Sequence, residues 1–259
     1  MTLDSIFSLS GRTIFVAGAS RGIGLAIARA VAGAGARTIL ASRSLPVLEA
    51  EAASLRQVGF QAETSALDMT DPESLRLAAE TFQDVDVLIN VAGTNVRKRF
   101  EEYSRQEYEL LLQTNLHGIV ELTQKIGRRM IARGKGGKII CIGSLTSVLG
   151  LPYTAVYSIT KSGLAGLTRT LAAEWAPHGI QVNCILPGMI LTDLNRQLWS
   201  RPEMHAWLKG SEANPRLGTP EDVAPLAVFL SGKGSDYITG QLIAVDGGFT
   251  TTAVWPVEV

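Results

Sequence analysis

Seven short runs, apolar almost throughout and separated by segments of helical spacing, constrain this chain more than any other feature. "RTIFVAG", "ARTIL", "DVLIN", "GKIICIG", "IQVNCILPG" and "GQLIAVDGG" read as strands, and "QAETSALD", leading to Asp68, as a weaker one. A strand with one wet face alternates apolar and polar residues, whereas one covered by helices on both faces need not. The pattern therefore specifies an α/β fold: a doubly wound parallel sheet of about seven strands flanked by helices. Helices are predicted over 22–34, 45–58, 72–82, 106–132, 155–175 and 220–230. Asp71 before Pro72 and Thr219 before Pro220 mark two starts, each a polar cap followed by a residue whose missing N–H is harmless in the first turn. No composition shift, repeat or linker interrupts the series, so a single domain is expected over 1–259. Segment 192–215 stands outside the alternation. Its Leu194, Leu198, Trp199, Met204 and Trp207, at mixed spacing, suit either a helical pair completing the core or a lid over a substrate.

Lysine plus arginine equals aspartate plus glutamate, 24 each, which leaves no overall field to attract nucleic acid or an anionic membrane. Cys141 and Cys184 both lie inside apolar runs, where a free thiol behaves as a small hydrophobe. The opening "MTLDSIFSLSGR" has no basic or long apolar region, and no apolar stretch approaches a membrane span. A soluble, reduced, cytoplasmic protein is expected, with neither nucleic acid nor membrane as partner and no metal site.

"VAGASRGIGLAIA" follows the first strand and opens the first helix, with Gly18, Gly22 and Gly24 spaced G-x-x-x-G-x-G. Glycines permit a tight turn and close approach of a pyrophosphate, and the helix start offers N–H groups and a partial positive charge. The spacing differs from the common Rossmann G-x-G-x-x-G, but the placement between strand and helix is the same. The second strand ends "TILASRS", with Ser42 where an acidic residue would meet the ribose 2′-hydroxyl of NAD, and Arg43 next. Arg21 lies in the glycine turn itself. Two arginines and no carboxylate favour a 2′-phosphate, hence NADP(H) over NAD(H).

"YSITKSGLAG" places Tyr157 and Lys161 one helical turn apart on the same face. A phenol holds its proton too tightly for acid–base work at neutral pH. An ammonium about 4 Å away would stabilise the phenolate by about 4 kcal/mol at an effective dielectric of about 20. Desolvation opposes this, so the lysine must be close and charged. Taken alone, the pair is read as a surface lysine beside a half-buried tyrosine, and other parts of the chain have to overturn that reading.

With these residues in hand, the chain resembles the short-chain dehydrogenase/reductase family over essentially its whole length. The matching pieces are "AGASRGIG", "LDM" at Asp68, "NVAG" at Asn90 to Gly93, Asn115, "IGSLTS" with Ser144, "YSITK", and "PGMILT" from Pro187 to Thr192. Two departures occur: Ala17 where threonine usually precedes the first glycine, and Val91 where a second asparagine is common; both are expected to loosen local backbone ties. Within the family the chain is most like gluconate 5-dehydrogenases and related sugar-acid enzymes, through "IGSLTS", "PGMILTDLN" and "GSDYITGQLIAVDGG".

The resemblance implies a Rossmann-type sheet and hydride transfer between a nicotinamide and a secondary alcohol or ketone. Tyr157 would be general acid and base, Lys161 its electrostatic partner and a ribose ligand, Ser144 a donor to the substrate oxygen, and Asn115 the holder of a water linking Lys161 to solvent. The cofactor would meet Gly18, Ser20, Arg21, Gly22, Ile23 and Gly24; Ser42 and Arg43; Asp68 and Met69; Asn90, Ala92 and Gly93; Tyr157 and Lys161; and Pro187, Gly188, Ile190 and Thr192. The substrate would meet Ser144, Tyr157 and Arg97, the last in "GTNVRKRF", where a cation suits the carboxylate of a sugar acid such as gluconate or 5-ketogluconate. A solvated charge run fits that stretch too. A homotetramer is implied, with the ending "TTAVWPVEV" either covering a neighbour or fraying. Two other readings stay open: an NADPH-dependent reductase of other ketones or 3-oxoacyl substrates, and a nucleotide-binding protein without turnover, which would need none of Ser144, Tyr157 and Lys161.

Overall fold

The seven expected strands form one parallel sheet in a computed structural model of the protein, which describes residues 6–251 except 194, 211–213 and 215. They are β1 (Thr13–Ala17), β2 (Arg37–Ser42), β3 (Ala62–Ala66), β4 (Val87–Asn90), β5 (Gly137–Ile142), β6 (Ile180–Pro187) and β7 (Leu242–Val245), in the spatial order β3-β2-β1-β4-β5-β6-β7. The chain builds outward from β1 to β3, then returns to pair β4 with the free edge of β1. That reversal is the switch point of a doubly wound sheet.

Helices fill both faces: α1 (Gly22–Gly33), α2 (Leu45–Gln57), α3 (Pro72–Thr81), α4 (Arg105–Leu112), α5 (Gly118–Arg133), α6 (Ala155–Trp175), α7 (Arg196–Trp199), α8 (Pro202–Lys209) and α9 (Pro220–Ser231). Alternate strand residues sort into two cores. Phe15, Ile39, Leu88, Ile139 and Val182 pack with α3, α5 and α6 on one side. Ile14, Leu40, Ile89, Ile140 and Ile185 pack with α1, α2 and α9 on the other. Burial of both faces is why the strands read as unbroken apolar runs. Both cysteines are free and buried, and desolvation pushes the thiol of Cys141 up to about 11 and that of Cys184 to about 12. Among the described residues no helix is long and apolar enough to cross a membrane.

The cap signals act as their residue types require. The Asp71 carboxylate accepts from the Glu73 amide at 3.0 Å, and Thr219 forms a reciprocal box with Asp222. One expected helix differs. The stretch 106–132 is two helices joined by a π turn, Gln113–His117. Buried Leu111, Ile119, Leu122 and Ile126 keep a helical rhythm through it, so periodicity gives no warning. Just past the π turn, α5 begins against the strand-end loop after β3, where a Cβ on Gly118 would come within 2.1 Å of the Met69 carbonyl oxygen.

Segment 192–215 contributes α7 and α8, with Trp199 and Leu208 buried and Trp207 stacked between Trp199 and Phe249 at 6.4 and 5.7 Å. Leu194, Pro215 and residues 252–259 of the C-terminal stretch lie outside the described residues.

Candidate active site

The sequence motifs converge on the carboxyl ends of the strands. Gly18 follows β1, Ser42 ends β2, and Gly188 follows β6; Asp68, Ala92 and Ser144 each stand just beyond β3, β4 and β5. Above these ends a crevice opens where strand order reverses, here between β1 and β4.

Sterics explain the glycine turn. Gly18 has φ +101°, and a Cβ there would lie 2.6 Å from the Ala92 amide nitrogen, so glycine lets the turn after β1 close on that after β4. A Cβ on Gly24 would stand 2.0 Å from the Gly18 carbonyl oxygen. Helix α1 has no side-chain cap and no acidic residue in its first turn. Its leading N–H groups are thus available to an anion, as a pyrophosphate requires. Ser20 and Ile23 flank this turn, both partly buried. At the two departures, Ala17 and Val91, main-chain bonds still tie the turns, the amides of Val91 and Ala92 both donating to the Ala17 carbonyl at 2.8 Å.

Arg21 and Arg43 are exposed at this end of the crevice. Ser42 is buried, its hydroxyl accepting from the Ser44 amide at 3.2 Å. Asp68 accepts from the amide and hydroxyl of Thr70; the amide bond is the main cause that lowers its carboxyl below the usual range, with a smaller pull from Arg43. Met69, Asn90 and Ile190 lie at the ends or in the loops of β3, β4 and β6. Their side chains are buried, Asn90 donating to the Thr123 hydroxyl at 2.9 Å. Pro187 ends β6; Gly188 lies so close to Asp246 that a Cβ would meet its Cα at 2.5 Å, and the Thr192 methyl stands 3.5 Å from where a Cβ on Gly22 would be.

Across the crevice, α6 carries Tyr157 and Lys161. Lys161 is 3% exposed, donates from Nζ to the Ile142 carbonyl at 2.8 Å, and holds that ammonium 5.6 Å from the centre of the Tyr157 ring. Its main chain is tied back as well, the Ser147 hydroxyl donating to the Lys161 carbonyl at 3.0 Å. Ser144 leads into this same short turn, its Oγ accepting from the Thr146 amide at 3.2 Å. Asn115, wholly buried in the π turn, clamps the main chain of Thr94, accepting from its amide at 2.8 Å and donating to its carbonyl at 2.7 Å. The side chain expected to hold a water is thus already engaged. A Cβ added to Gly93 would sit 3.5 Å from both Asn115 Oδ1 and Lys161 Nζ, so the absent side chain leaves room beside the ammonium. An ammonium has three donors, and the Ile142 carbonyl takes one. That space and those donors fit the hydroxyls of a nicotinamide ribose.

Of the cations at 97–99, Lys98 is committed elsewhere: its Nζ binds both Glu107 oxygens at 2.8 and 3.0 Å, while Arg97 and Arg99 stay exposed. Sequence reasoning singled out Arg97 from this stretch and missed the pairing of Lys98, although the box formed by Ser104 and Glu107 is visible as S-x-x-E. It also missed Thr94, Ile142 and Tyr153; a main-chain contact leaves no mark on residue type.

A parallel sheet that reverses order beneath an uncapped helix start, with a lysine and tyrosine facing it, is the architecture of the doubly wound oxidoreductases. Comparison with known proteins narrows this. The family model described as "Enoyl-(Acyl carrier protein) reductase" matches residues 18–250. Gluconate 5-dehydrogenase of Gluconobacter oxydans is 36% identical over 97% of this chain and 100% of its own length. A tropinone reductase homologue of Arabidopsis thaliana is 37% identical over 96% of each. The crystal structure of a gluconate 5-dehydrogenase from Burkholderia cenocepacia in complex with NADP and tartrate superposes with a TM-score of 0.93, at 34% identity, over 97% of this chain and 100% of that one. The chain belongs to the short-chain dehydrogenase/reductase family, oxidoreductases acting on CH–OH groups.

The Lys98–Glu107 pair generates a pH dependence. The hydrogen bond from Lys98, followed by those from Ser104, holds the Glu107 carboxyl at about 2, below the 4.5 of an unperturbed glutamate. A depressed folded-state pKa stabilises above the unfolded value, and that contribution fades as pH falls from 4.5 through about 2. Glu107→Gln is therefore expected to lower the urea midpoint at pH 7, with the gap to the native protein closing across that acid window. A gap that stays constant down to the lower limit would remove the carboxylate from the account.

Proposed function

We propose that the protein interconverts a secondary alcohol and a ketone with NADP(H), on a sugar acid of the gluconate/5-ketogluconate type. The observation that carries the chemistry is the buried Lys161 ammonium, fixed by the Ile142 carbonyl under the Tyr157 ring and open on the Gly93 side. Bound in the crevice, the nicotinamide gives or accepts the hydride. In oxidation Tyr157 Oη takes the alcohol proton as the C–H hydride leaves; in reduction it returns that proton to the ketone oxygen. The Lys161 charge stabilises the tyrosine oxygen while the proton is away. Ser144 donates to the substrate oxygen, where negative charge develops. Asn115 holds the Gly93–Thr94 turn against the lysine, and any water linking Lys161 to solvent is bound through its main chain. Helices α7 and α8 cover the substrate. Tyr157→Phe is expected to reduce turnover by about 10²–10⁴-fold with cofactor affinity retained; near-native turnover would end the acid–base assignment.

NADP(H) is favoured by Arg21 and Arg43, exposed beside a strand end that lacks a carboxylate at Ser42, and by the NADP in the Burkholderia cenocepacia enzyme. Asp68 keeps its negative charge nearby, but its Oδ1 accepts from the amide and hydroxyl of Thr70. Arg43→Ala should weaken NADPH binding by about tenfold or more, the loss of one charge-assisted bond, and leave NADH binding unchanged. Retention of the native preference would refute the assignment.

The sugar-acid substrate is supported by Arg97, exposed at the crevice while its neighbour Lys98 is paired, and by relatives that act on gluconate. A tropinone reductase homologue at 37% identity and a 3-oxoacyl (acyl-carrier-protein) reductase structure at 29% favour a second reading, an NADPH-dependent reductase of other ketones or 3-oxoacyl substrates. Arg97→Ala is expected to raise KM for a sugar acid by about tenfold and to leave KM for a simple diketone nearly unchanged. Equal effects on gluconate, 5-ketogluconate, diketone and acyl thioester would favour the second reading.

A further inference from the structure

Among the described residues, Tyr153 is the only non-glycine residue with a positive φ, at +66°. A bulky side chain in the left-handed region is an outlier, and such conformations persist where the surrounding structure requires them. Nothing buries the ring: Tyr153 is 59% exposed. What the conformation achieves is on the main chain. The Tyr153 carbonyl accepts from the Lys98 amide at 3.1 Å, the one main-chain hydrogen bond joining loop 91–104 to loop 145–154 among the described residues.

Both ends of that bond are anchored. Lys98 is pinned through Nζ to Glu107 in α4, and Tyr103 donates its hydroxyl to the Val96 carbonyl, closing the same loop. On the other side the Thr154 hydroxyl donates to the Leu151 carbonyl at 2.8 Å, and the Thr154 carbonyl accepts from the Ser158 amide at 2.8 Å as α6 begins. Arg97 precedes Lys98 directly, and Tyr157 follows Tyr153 by four residues, in the first turn of α6. The bond thus spans the short path between the proposed substrate anchor and the proposed proton carrier.

We propose that Tyr153 is a positioning residue whose left-handed backbone, not its ring, sets the loop of Arg97 against the helix turn of Tyr157. The inference rests on the acid–base reading above. It predicts that substitutions rank by tolerance of positive φ rather than by size or polarity. Glycine and asparagine occupy that region readily, whereas valine and isoleucine do not.

The test uses the full chain with whichever alcohol or ketone the native protein turns over. Tyr153→Gly and Tyr153→Asn should keep kcat within about threefold, while Tyr153→Val and Tyr153→Ile should lower it by roughly ten- to a hundredfold, the scale of a displacement of about 1 Å at reacting groups. Cofactor affinity, which reports the distant glycine turn, should stay level across the series, while Tm should fall by a few degrees in the valine and isoleucine forms only, since strain at positive φ lowers stability. Hydrogen exchange of the Lys98 amide gives a second readout independent of turnover: protected in the native, glycine and asparagine forms, and at least about tenfold faster in the valine and isoleucine forms. Equal kcat or equal exchange in all four variants would overturn the proposal. So would retention by Tyr153→Phe with loss in all four, since the ring, which borders a cavity of about 450 Å³ with Arg99 and Phe100, would then be the acting part. If Tyr157→Phe turned over normally, the acid–base reading would fall, and the Lys98 exchange pattern would still decide this one.

Discussion

A buried cation, Lys161, with no carboxylate partner among the described residues, organises one end of this molecule. Taking an ammonium out of water costs several kcal/mol unless dipoles replace its hydration. For Lys161 those dipoles are the Ile142 carbonyl at the end of β5 and the face of the Tyr157 ring. Each has to be held, and much of the surrounding hydrogen bonding does so: the Ser147 hydroxyl on the Lys161 carbonyl, the Ser162 hydroxyl on the Thr146 carbonyl, Asn115 on Thr94. Lys138 is equally buried but has the Asp236 carboxylate at 2.8 Å, so what sets Lys161 apart is the lack of such a counter-ion among the described residues and not its depth.

The sheet supplies the rigidity that arrangement needs. In a parallel sheet every strand ends at the same edge, so residues far apart in sequence, from Gly18 to Gly188, meet in one crevice. Gly18 and Gly24 are required there by backbone approach more than by turn geometry alone. The glycine turn rests on the turn after β4, and that turn is in turn held by Asn115. The proposed cofactor and proton-transfer regions therefore share one set of supports, and a shift in either is felt by the other.

Much of the fold was legible because burial on both faces leaves a direct trace in composition. Six strands read clearly; β3, at the sheet edge with Glu63 and Thr64 partly exposed, read weakly for that reason. The starts at Asp71 and Thr219 were legible because a cap is local chemistry. The π turn was not, since the apolar rhythm of 105–133 runs through it and its Asn115 serves a loop from another part of the chain. Motif order picked out Ser144, Tyr157 and Lys161 as candidates, while the engagement of Asn115 and of Lys98 depended on partners that no spacing announces.

By itself the sequence determined the class of sheet, the helix starts, the glycine turn and the residue types able to move a proton beside a nucleotide, because these depend on local conformational preference and on periodic burial. Only the tertiary structure decided that Asn90, Met69 and Ile190 turn their side chains inward, that Lys98 is already paired, and that Tyr153 bends into the left-handed region to join two loops. Those outcomes are set by which main-chain groups lie opposite one another once the sheet has closed, a quantity that residue identity does not encode.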